Sequence, residues 1–270
     1  MYQTTYHRPT SLAEAASLFA NSGDAAYLSG GHTLLPAMKA RLAAPTALID
    51  LRHVEELKGI TVTADTVTIG GGMTHSTVAG SAEVKRAIPT LAALAGSIGD
   101  AQVRHLGTIG GSVANNDPAA DYPSAVLALR GVVKTDRREI PADEYFAGLY
   151  STVLEEGEIV AAVSFTIPES SGYAKFRNPA SRYPMAGAFV ARHTDGEIRM
   201  AVTGAGNDGV FRWGEAEEAL TAIFSPDAIR NLKLDPEGMM GDIHGSAEYR
   251  AHLVTVMARR AVENLGTVTM

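Results

Sequence analysis

The sequence predicts an α+β protein, with two N-terminal units of mixed helix and strand followed by a C-terminal antiparallel sheet with helices. Three observations carry this. A strand, a helix and a second strand follow one another between Ala25 and Leu51. Two hairpins stand out, one near 60–69 and one near 185–204. Two helical stretches, Gly214 to Ile223 and Ser246 to Leu265, close the chain.

In chain order, Ser11 to Asn21 reads as an amphipathic helix. Ser11 and Glu14 have capping-box spacing, and Leu12, Ala15, Ala16 and Phe19 form an apolar stripe. Ala25 to Ser29 is a short apolar strand ending in Gly30-Gly31. Thr33 to Leu42 is helical, with Pro36 tolerable in its first turn. Ala47 to Leu51 is the next strand. Ile60 to Thr63 and Val67 to Ile69 flank Ala64-Asp65-Thr66 as a hairpin. Thr74 to Gly99 is mostly helical, interrupted near Ser81 and Pro89. Thr108 to Asn116 reads as a glycine-containing strand or loop, and Asp121 to Leu129 as an alanine-leucine helix. Val132-Val133 begins a strand, and Ile159 to Ile167 is another, ended by Pro168. Met185 to Arg192 and Ile198 to Gly204 flank Thr194-Asp195-Gly196 as a second hairpin. In the last helix Tyr249, Leu253, Val256 and Met257 form a stripe expected to face the core. The polar stretch Glu169-Ser170-Ser171-Gly172 is the best candidate boundary. The expected domains are 1–168, with subdomains of about 1–54 and 55–168, and 172–270.

Composition narrows the function. The chain has 270 residues and no cysteine, so it holds no disulfide, thiolate metal site, cysteine-ligated cluster or cysteine nucleophile. Its formal net charge of −7, without a basic run, disfavours nucleic acid or an anionic membrane as partner. No apolar stretch approaches the roughly 20 residues of a membrane span. The N-terminus lacks the basic and apolar regions of a signal peptide, so a soluble, cytoplasmic protein is expected. The eight histidines show no metal-ligand spacing, and neither a phosphate-loop lysine motif nor a G-x-S-x-G elbow is present. No catalytic or metal-ligating set is therefore expected.

The 27 glycines are clustered, and two clusters carry chemistry. In Ser29-Gly30-Gly31-His32-Thr33, between a strand and a helix, adjacent glycines would let backbone N–H groups cradle an anion. Thr33 would then either cap the helix or bind a phosphate. The plain alternative is a tight strand-to-helix turn. In Gly107-Thr108-Ile109-Gly110-Gly111-Ser112 a second glycine pair stands among hydroxyl donors. After it comes Asn115-Asn116-Asp117-Pro118-Ala119-Ala120-Asp121, in which Asp121 would either accept from sugar hydroxyls or cap a helix. Gly204-Ala205-Gly206-Asn207-Asp208-Gly209 matches dinucleotide spacing, but an extended Val210-Phe211-Arg212-Trp213 follows instead of the required helix.

Together the Ser-Gly-Gly-His-Thr-Leu-Leu-Pro and Gly-Thr-Ile-Gly-Gly-Ser-Val-Ala-Asn-Asn-Asp-Pro-Ala-Ala-Asp motifs resemble the FAD-binding medium subunits of molybdenum hydroxylases. The likeness is to the carbon monoxide dehydrogenase medium chain type, related to the FAD domain of xanthine dehydrogenase. Gln102-Val103-Arg104 and Ser246-Ala247-Glu248-Tyr249-Arg250 fall in the same order, so the resemblance covers essentially the whole chain. It implies the FAD-binding fold of the vanillyl-alcohol-oxidase/molybdopterin-dehydrogenase type. It also implies that Gly30, Gly31, His32, Thr33 and Leu34, with Thr108, Ile109, Gly110, Gly111 and Ser112, hold the FAD pyrophosphate from two sides. Asp121 would contact ribityl or ribose hydroxyls, and Asp117 belongs to the same binding set. Ile159 or Val160 would line the flavin, Lys175 would contact it, and Tyr183 would lie near the isoalloxazine ring. His32 could carry the flavin covalently, but the family binds FAD non-covalently. The implied partners are a molybdopterin-containing large subunit and a [2Fe-2S] small subunit. Four positions depart from the family pattern: Ser29 and Arg130 replace smaller residues, Arg182 precedes Tyr183 where Asp is common, and Pro184 follows it. The alternatives are a self-sufficient FAD-dependent oxidoreductase and a non-redox nucleotide-binding scaffold.

Overall fold

The computed structural model describes residues 2–270. Three larger sheets, a two-stranded one (Phe146–Gly148 with Ser151–Thr152) and the helices between them make up the described residues. Thr5–His7, Ala47–Asp50 and Ala25–Leu28 form a parallel sheet with Ala47–Asp50 in the middle. The middle strand is buried along its length, as expected of a parallel sheet packed by helices. Helix Leu12–Ala20 covers it: Ala15, with Leu12, Leu18 and Phe19, packs in one cluster with Ile49. Ser11 Oγ accepts from Glu14 N at 3.2 Å, while the Glu14 carboxylate takes Thr10 N at 2.8 Å instead of closing a capping box.

The second sheet is antiparallel, in the order Ile60–Val62, Thr66–Gly70, Val160–Thr166, Val132–Thr135, Glu139–Pro141. Val163, on the central strand, pairs with Ile69 on one side and Val133 on the other. Between its second and third strands in sequence, the chain folds into six short helices. Their starts have visible chemical causes: side chains of Thr74, Ser81, Asp100 and Thr108 each accept from an amide three residues on, and Pro89 opens the helix Pro89–Ser97.

One of these helices corrects an expectation. Thr108–Asn116 is not a strand or loop; Ile109–Asn115 is helical. Gly110 and Gly111 each disfavour a helix by about 1 kcal/mol against alanine, which is why the local sequence reads otherwise. Packing decides the matter. Gly110 N donates to Gly71 O at 2.9 Å, and a Cβ at Gly110 would stand 2.6 Å from that oxygen. A side chain here would drive the two backbones apart.

The third sheet runs Phe211–Arg212, Ile198–Thr203, Pro184–Arg192, Ser170–Arg177, Val268–Thr269, with the last strand parallel to its neighbour. The candidate boundary at 169–172 falls largely inside the strand Ser170–Arg177. Strand Pro184–Arg192 is buried on both faces. Ala186, Ala188 and Val190 join the cluster of the closing helix, while Phe189 and Ala191 join Tyr122 and Ala125 in the cluster shared with the second sheet. Residues two apart share a face, so two covered faces give a continuous apolar run. After Thr203 the chain turns into the strand Phe211–Arg212, with no helix between. That excludes the dinucleotide fingerprint at 204–209.

The closing helix, Ala247–Glu263, buries Arg250, Leu253, Val254, Met257, Ala258 and Ala261. Tyr249 is not a core residue as expected; it is 41% exposed. Val256 is only partly buried. The buried stripe contains a charged member, and that shifted its apparent phase. Arg250 is held by both terminal nitrogens: it donates to Met185 O and Gly204 O at 2.7 Å and pairs with Asp242 at 2.6 Å. Leu253→Ala is expected to lose about 2–5 kcal/mol of stability. Tyr249→Ala should lose about 1 kcal/mol or less. Urea denaturation of the two variants checks the corrected face, and equal losses would contradict it.

Candidate functional site

The two glycine loops meet. Ser29 Oγ lies 2.8 Å from Thr108 Oγ1. A Cβ at Gly30 would stand 2.6 Å from Leu106 O and 2.7 Å from Gly107 Cα. The glycines that seemed to clear space for a ligand therefore first clear space for each other: Gly30 packs on the backbone of the second loop, and Gly110 on Gly71. Along this seam runs a cleft of about 450 Å³, lined by both loops, the Ala26–Leu28 strand end, Glu158 to Val160 and Tyr183. All the residues singled out from sequence line it except Ile109 and Lys175. Ile109 is fully buried in the core behind the loop.

The two loops offer different chemistry. In the second, Ile109 N donates to Met73 O, Gly110 N to Gly71 O, Gly111 N to Thr108 Oγ1 and Ser112 N to Thr108 O. Those amides are committed inside the protein. In the first, the amides of Gly30, Gly31, His32, Thr33 and Leu34 find no protein acceptor among the described residues. Gly31 has φ +73°, a left-handed conformation that suits glycine. Thr33 makes no side-chain cap bond, so its hydroxyl is also uncommitted. Five charge-assisted bonds of about 1.5–3 kcal/mol each would supply roughly 7–15 kcal/mol before ordering costs. The free amides thus belong to the first loop, and the second places its Ser112 hydroxyl at the cleft.

Cationic side chains do not do this work: among the described residues, no Lys or Arg lines the cleft, whereas Asp117, Asp121 and Glu158 do. Two of these carboxylates are neutralised from behind. Arg138 pairs with Glu158 at 3.0 Å and, by hydrogen bonding, holds its carboxyl down to about 2. Asp121 Oδ1 accepts from Lys175 Nζ at 2.8 Å and from Tyr173 Oη at 2.7 Å. Lys175 is completely buried and also donates to Ser97 O at 3.1 Å. It stands behind Asp121, not at the cleft surface. Asp121 makes no cap bond to its helix, and its Oδ2 has no donor among the described residues. An acceptor ready for a hydroxyl is thus left at the cleft wall.

Tyr183 sits at the rim, 46% exposed. Burial, then the carboxylates of Asp117 and Asp121, push its phenol up. Arg182 before it has φ +65°, and its guanidinium is 3.4 Å from Gly99 O across the rim. Arg130 is away from the cleft, paired with Asp195 at 2.7 Å and with Glu197. The sequence did not single out Tyr27, Ile98, Val103 or His75, which also line the cleft. The aromatic before a glycine pair was the one available signal, for Tyr27. His75 and Val103 lie on helices and Ile98 just after one, and it is tertiary contact that brings them to the cleft. The cleft's free amides and open carboxylate oxygen fit a flavin dinucleotide.

A family model described as the FAD binding domain in molybdopterin dehydrogenase matches residues 2–170. The nicotine 6-hydroxylase medium subunit of Paenarthrobacter nicotinovorans is 35% identical, over 98% of each chain. The carbon monoxide dehydrogenase medium chain of Hydrogenophaga pseudoflava is 33% identical over 95% of each. Among solved structures, reconstituted CO dehydrogenase from Oligotropha carboxidovorans superposes with a TM-score of 0.89 at 32% identity, covering 97% of this chain and 98% of that one.

Two outcomes follow from the packing. Gly110→Val is expected to cost about 1–3 kcal/mol or more through overpacking against Gly71, so flavin binding and denaturation midpoint should fall together. An unchanged midpoint would show that the seam yields. The Glu158 carboxyl is shifted below its ordinary value of 4.5 to about 2, so its contribution to stability is complete above pH about 4.5 and is lost as pH falls toward about 2. Glu158→Gln should flatten that part of the stability–pH curve; an identical acid limb would place the linkage elsewhere.

Proposed function

The chain belongs to the family of FAD-binding domains of molybdopterin dehydrogenases, and on that premise we propose that it is the flavin-carrying electron-transfer subunit of a heteromeric molybdenum hydroxylase. It is an FAD-binding oxidoreductase subunit. Electrons would come from the iron–sulfur clusters of a small [2Fe-2S] partner, after oxidation of substrate at a molybdopterin-containing large partner, and leave to an external acceptor. Bound FAD supplies the capacity to take up and release one or two electrons.

The observation that carries this is the single cleft built where the two glycine loops touch, in a chain that spans nearly the full length of relatives named as medium subunits. Within it the protein's own groups bind and orient. The Gly30–Leu34 amides would take the diphosphate, with Ser112 beside them. Asp117 and Asp121 would take hydroxyls of the ribityl or ribose portions, and Lys175 and Tyr173, both donating to Asp121 Oδ1, would hold its carboxylate in place. Ile159, Val160 and Tyr183 would bound the ring, and His32 would sit at the diphosphate without a covalent bond. The absence of cysteine in the chain supports the division of labour, since cluster ligands would come from another subunit. We keep the expected division at about 54 and 168–172 as part of this picture, with one of the three larger sheets falling essentially in each part. No helix of the described residues is long and apolar enough to cross a membrane, and we place the complex in the cytoplasm.

Co-expression with its genomic neighbours tests the assignment. The chain should copurify with a molybdopterin-type large chain and a cysteine-rich small chain. Its flavin should be bleached by the large chain's substrate only when the small chain is present. Reduction of the isolated chain by a small organic substrate would favour the self-sufficient oxidoreductase, and absence of flavin bands after FAD reconstitution would favour the scaffold. Tyr183→Ala should shift the flavin absorbance or potential with little loss of fold; an unchanged spectrum would put Tyr183 away from the ring.

A further inference from the structure

His75 begins the helix His75–Gly80, directly after the capping Thr74. Its backbone N donates to Gly107 O at 2.9 Å, so the second glycine loop fixes its position. The side chain is 5% exposed and lines the cleft. Its ring packs on Tyr122, with centroids 5.4 Å apart. Neither ring nitrogen has a partner among the described residues, and Nδ1 is fully buried without one. A buried imidazole left unpaired costs stability, so an unmet partner is a question the site must answer.

The direction of the ring supplies the answer. A Cβ built on Gly107 would stand 2.7 Å from His75 Nε2. Gly107 has φ −60° and ψ 136°, an ordinary conformation for any residue. Its backbone shape therefore does not demand glycine; the room that glycine leaves is occupied by the Nε2 edge of His75. Gly107 is also the residue on which Gly30 packs. The imidazole edge thus ends beside the point where the amide-bearing loop begins. Burial, with the nearby charges of His32 and Arg104, lowers the imidazole to about 4, so at neutral pH it is an uncharged ring with one N–H to give.

On the reading that the Gly30–Leu34 amides take the diphosphate of FAD, we propose that His75, which lines the cleft with its Nε2 edge beside Gly107, is a further cofactor-binding residue, donating its Nε2–H to that diphosphate. Nδ1 then remains the unprotonated nitrogen, the less costly of the two to leave unpaired in an apolar setting. The cleft would gain a neutral donor on the side where the amides of the second loop are committed elsewhere.

The test uses the full chain freed of flavin. His75→Phe should weaken FAD about tenfold and ADP by a similar factor, while leaving riboflavin, which has no phosphate, unchanged. His75→Asn, which keeps an N–H, should lie between the two. Equal FAD affinity in a folded His75→Phe chain would overturn the assignment, as would a loss seen with riboflavin but not with ADP. A 15N-labelled wild-type chain keeps the question open to measurement if the variants fail to fold. Adding ADP should bring the His75 Nε2 to the protonated, hydrogen-bonded position and slow exchange of its proton; no change at that nitrogen would refute the contact. The amides of Gly30 to Leu34, followed in the same spectra, separate the two questions. If they stay still while ADP binds, it is the diphosphate location that is wrong.

Discussion

The structure depends on a contact between two stretches of backbone that carry no side chains to separate them. Gly30 rests on Leu106 and Gly107, and Gly110 rests on Gly71, each too close for a Cβ. Through these contacts the parallel sheet, the antiparallel sheet and the helix Ile109–Asn115 share one seam, and the cleft is what remains along it. Close packing of backbone on backbone tolerates little change, because no flexible side-chain end can move aside. Shape and chemistry at the site are therefore coupled: the residues that let the loops approach are also those that line the cleft.

The electrostatics of the cleft run against a simple expectation for an anionic ligand. The chain is acidic, three carboxylates line the cleft, and no lysine or arginine does among the described residues. The free amides of the first loop supply direction instead of net charge. A directed N–H discriminates against weakly placed anions that a lysine's point charge would accept, and it does not need to reorganise on binding. Lys175 and Arg138 act one layer back, each paired with a carboxylate that faces the cleft. The buried Lys175–Asp121 pair has the additional Tyr173 and Ser97 partners that such a pair needs to offset desolvation.

The third sheet adds its share through Tyr173 and Lys175, on the strand Ser170–Arg177, and through Tyr183 just before the strand Pro184–Arg192. One strand thus places a tyrosine and a lysine on Asp121, while the turn that follows places an aromatic at the rim. The C-terminal part is consequently not an appendage. Its central strand is covered on both faces, and one of those faces is continuous with the core of the second sheet.

Much was legible in the sequence because it depends on short-range periodicity and on glycine pairs. The helix from Leu12, the strands at Ala25 and Ala47, both hairpins and the closing helix have their own patterns, and the two glycine motifs pointed to one cofactor family. The sequence also excluded a dinucleotide loop at Gly204–Gly209 by the extended residues after it. What it could not settle were matters decided by what a residue touches. Ile109–Asn115 is helical because Gly71 presses against Gly110, an interaction 39 positions away that outweighs a poor local propensity. Arg250 lies on the buried face because three acceptors meet it there, so a hydrophobic pattern misphased the helix by one residue. The family resemblance implies a flavin contact for Lys175, and the fold buries its ammonium against the Asp121 carboxylate. Which loop keeps its amides free is likewise a tertiary fact, because a backbone N–H is the same in every sequence until the fold gives it, or withholds, an acceptor.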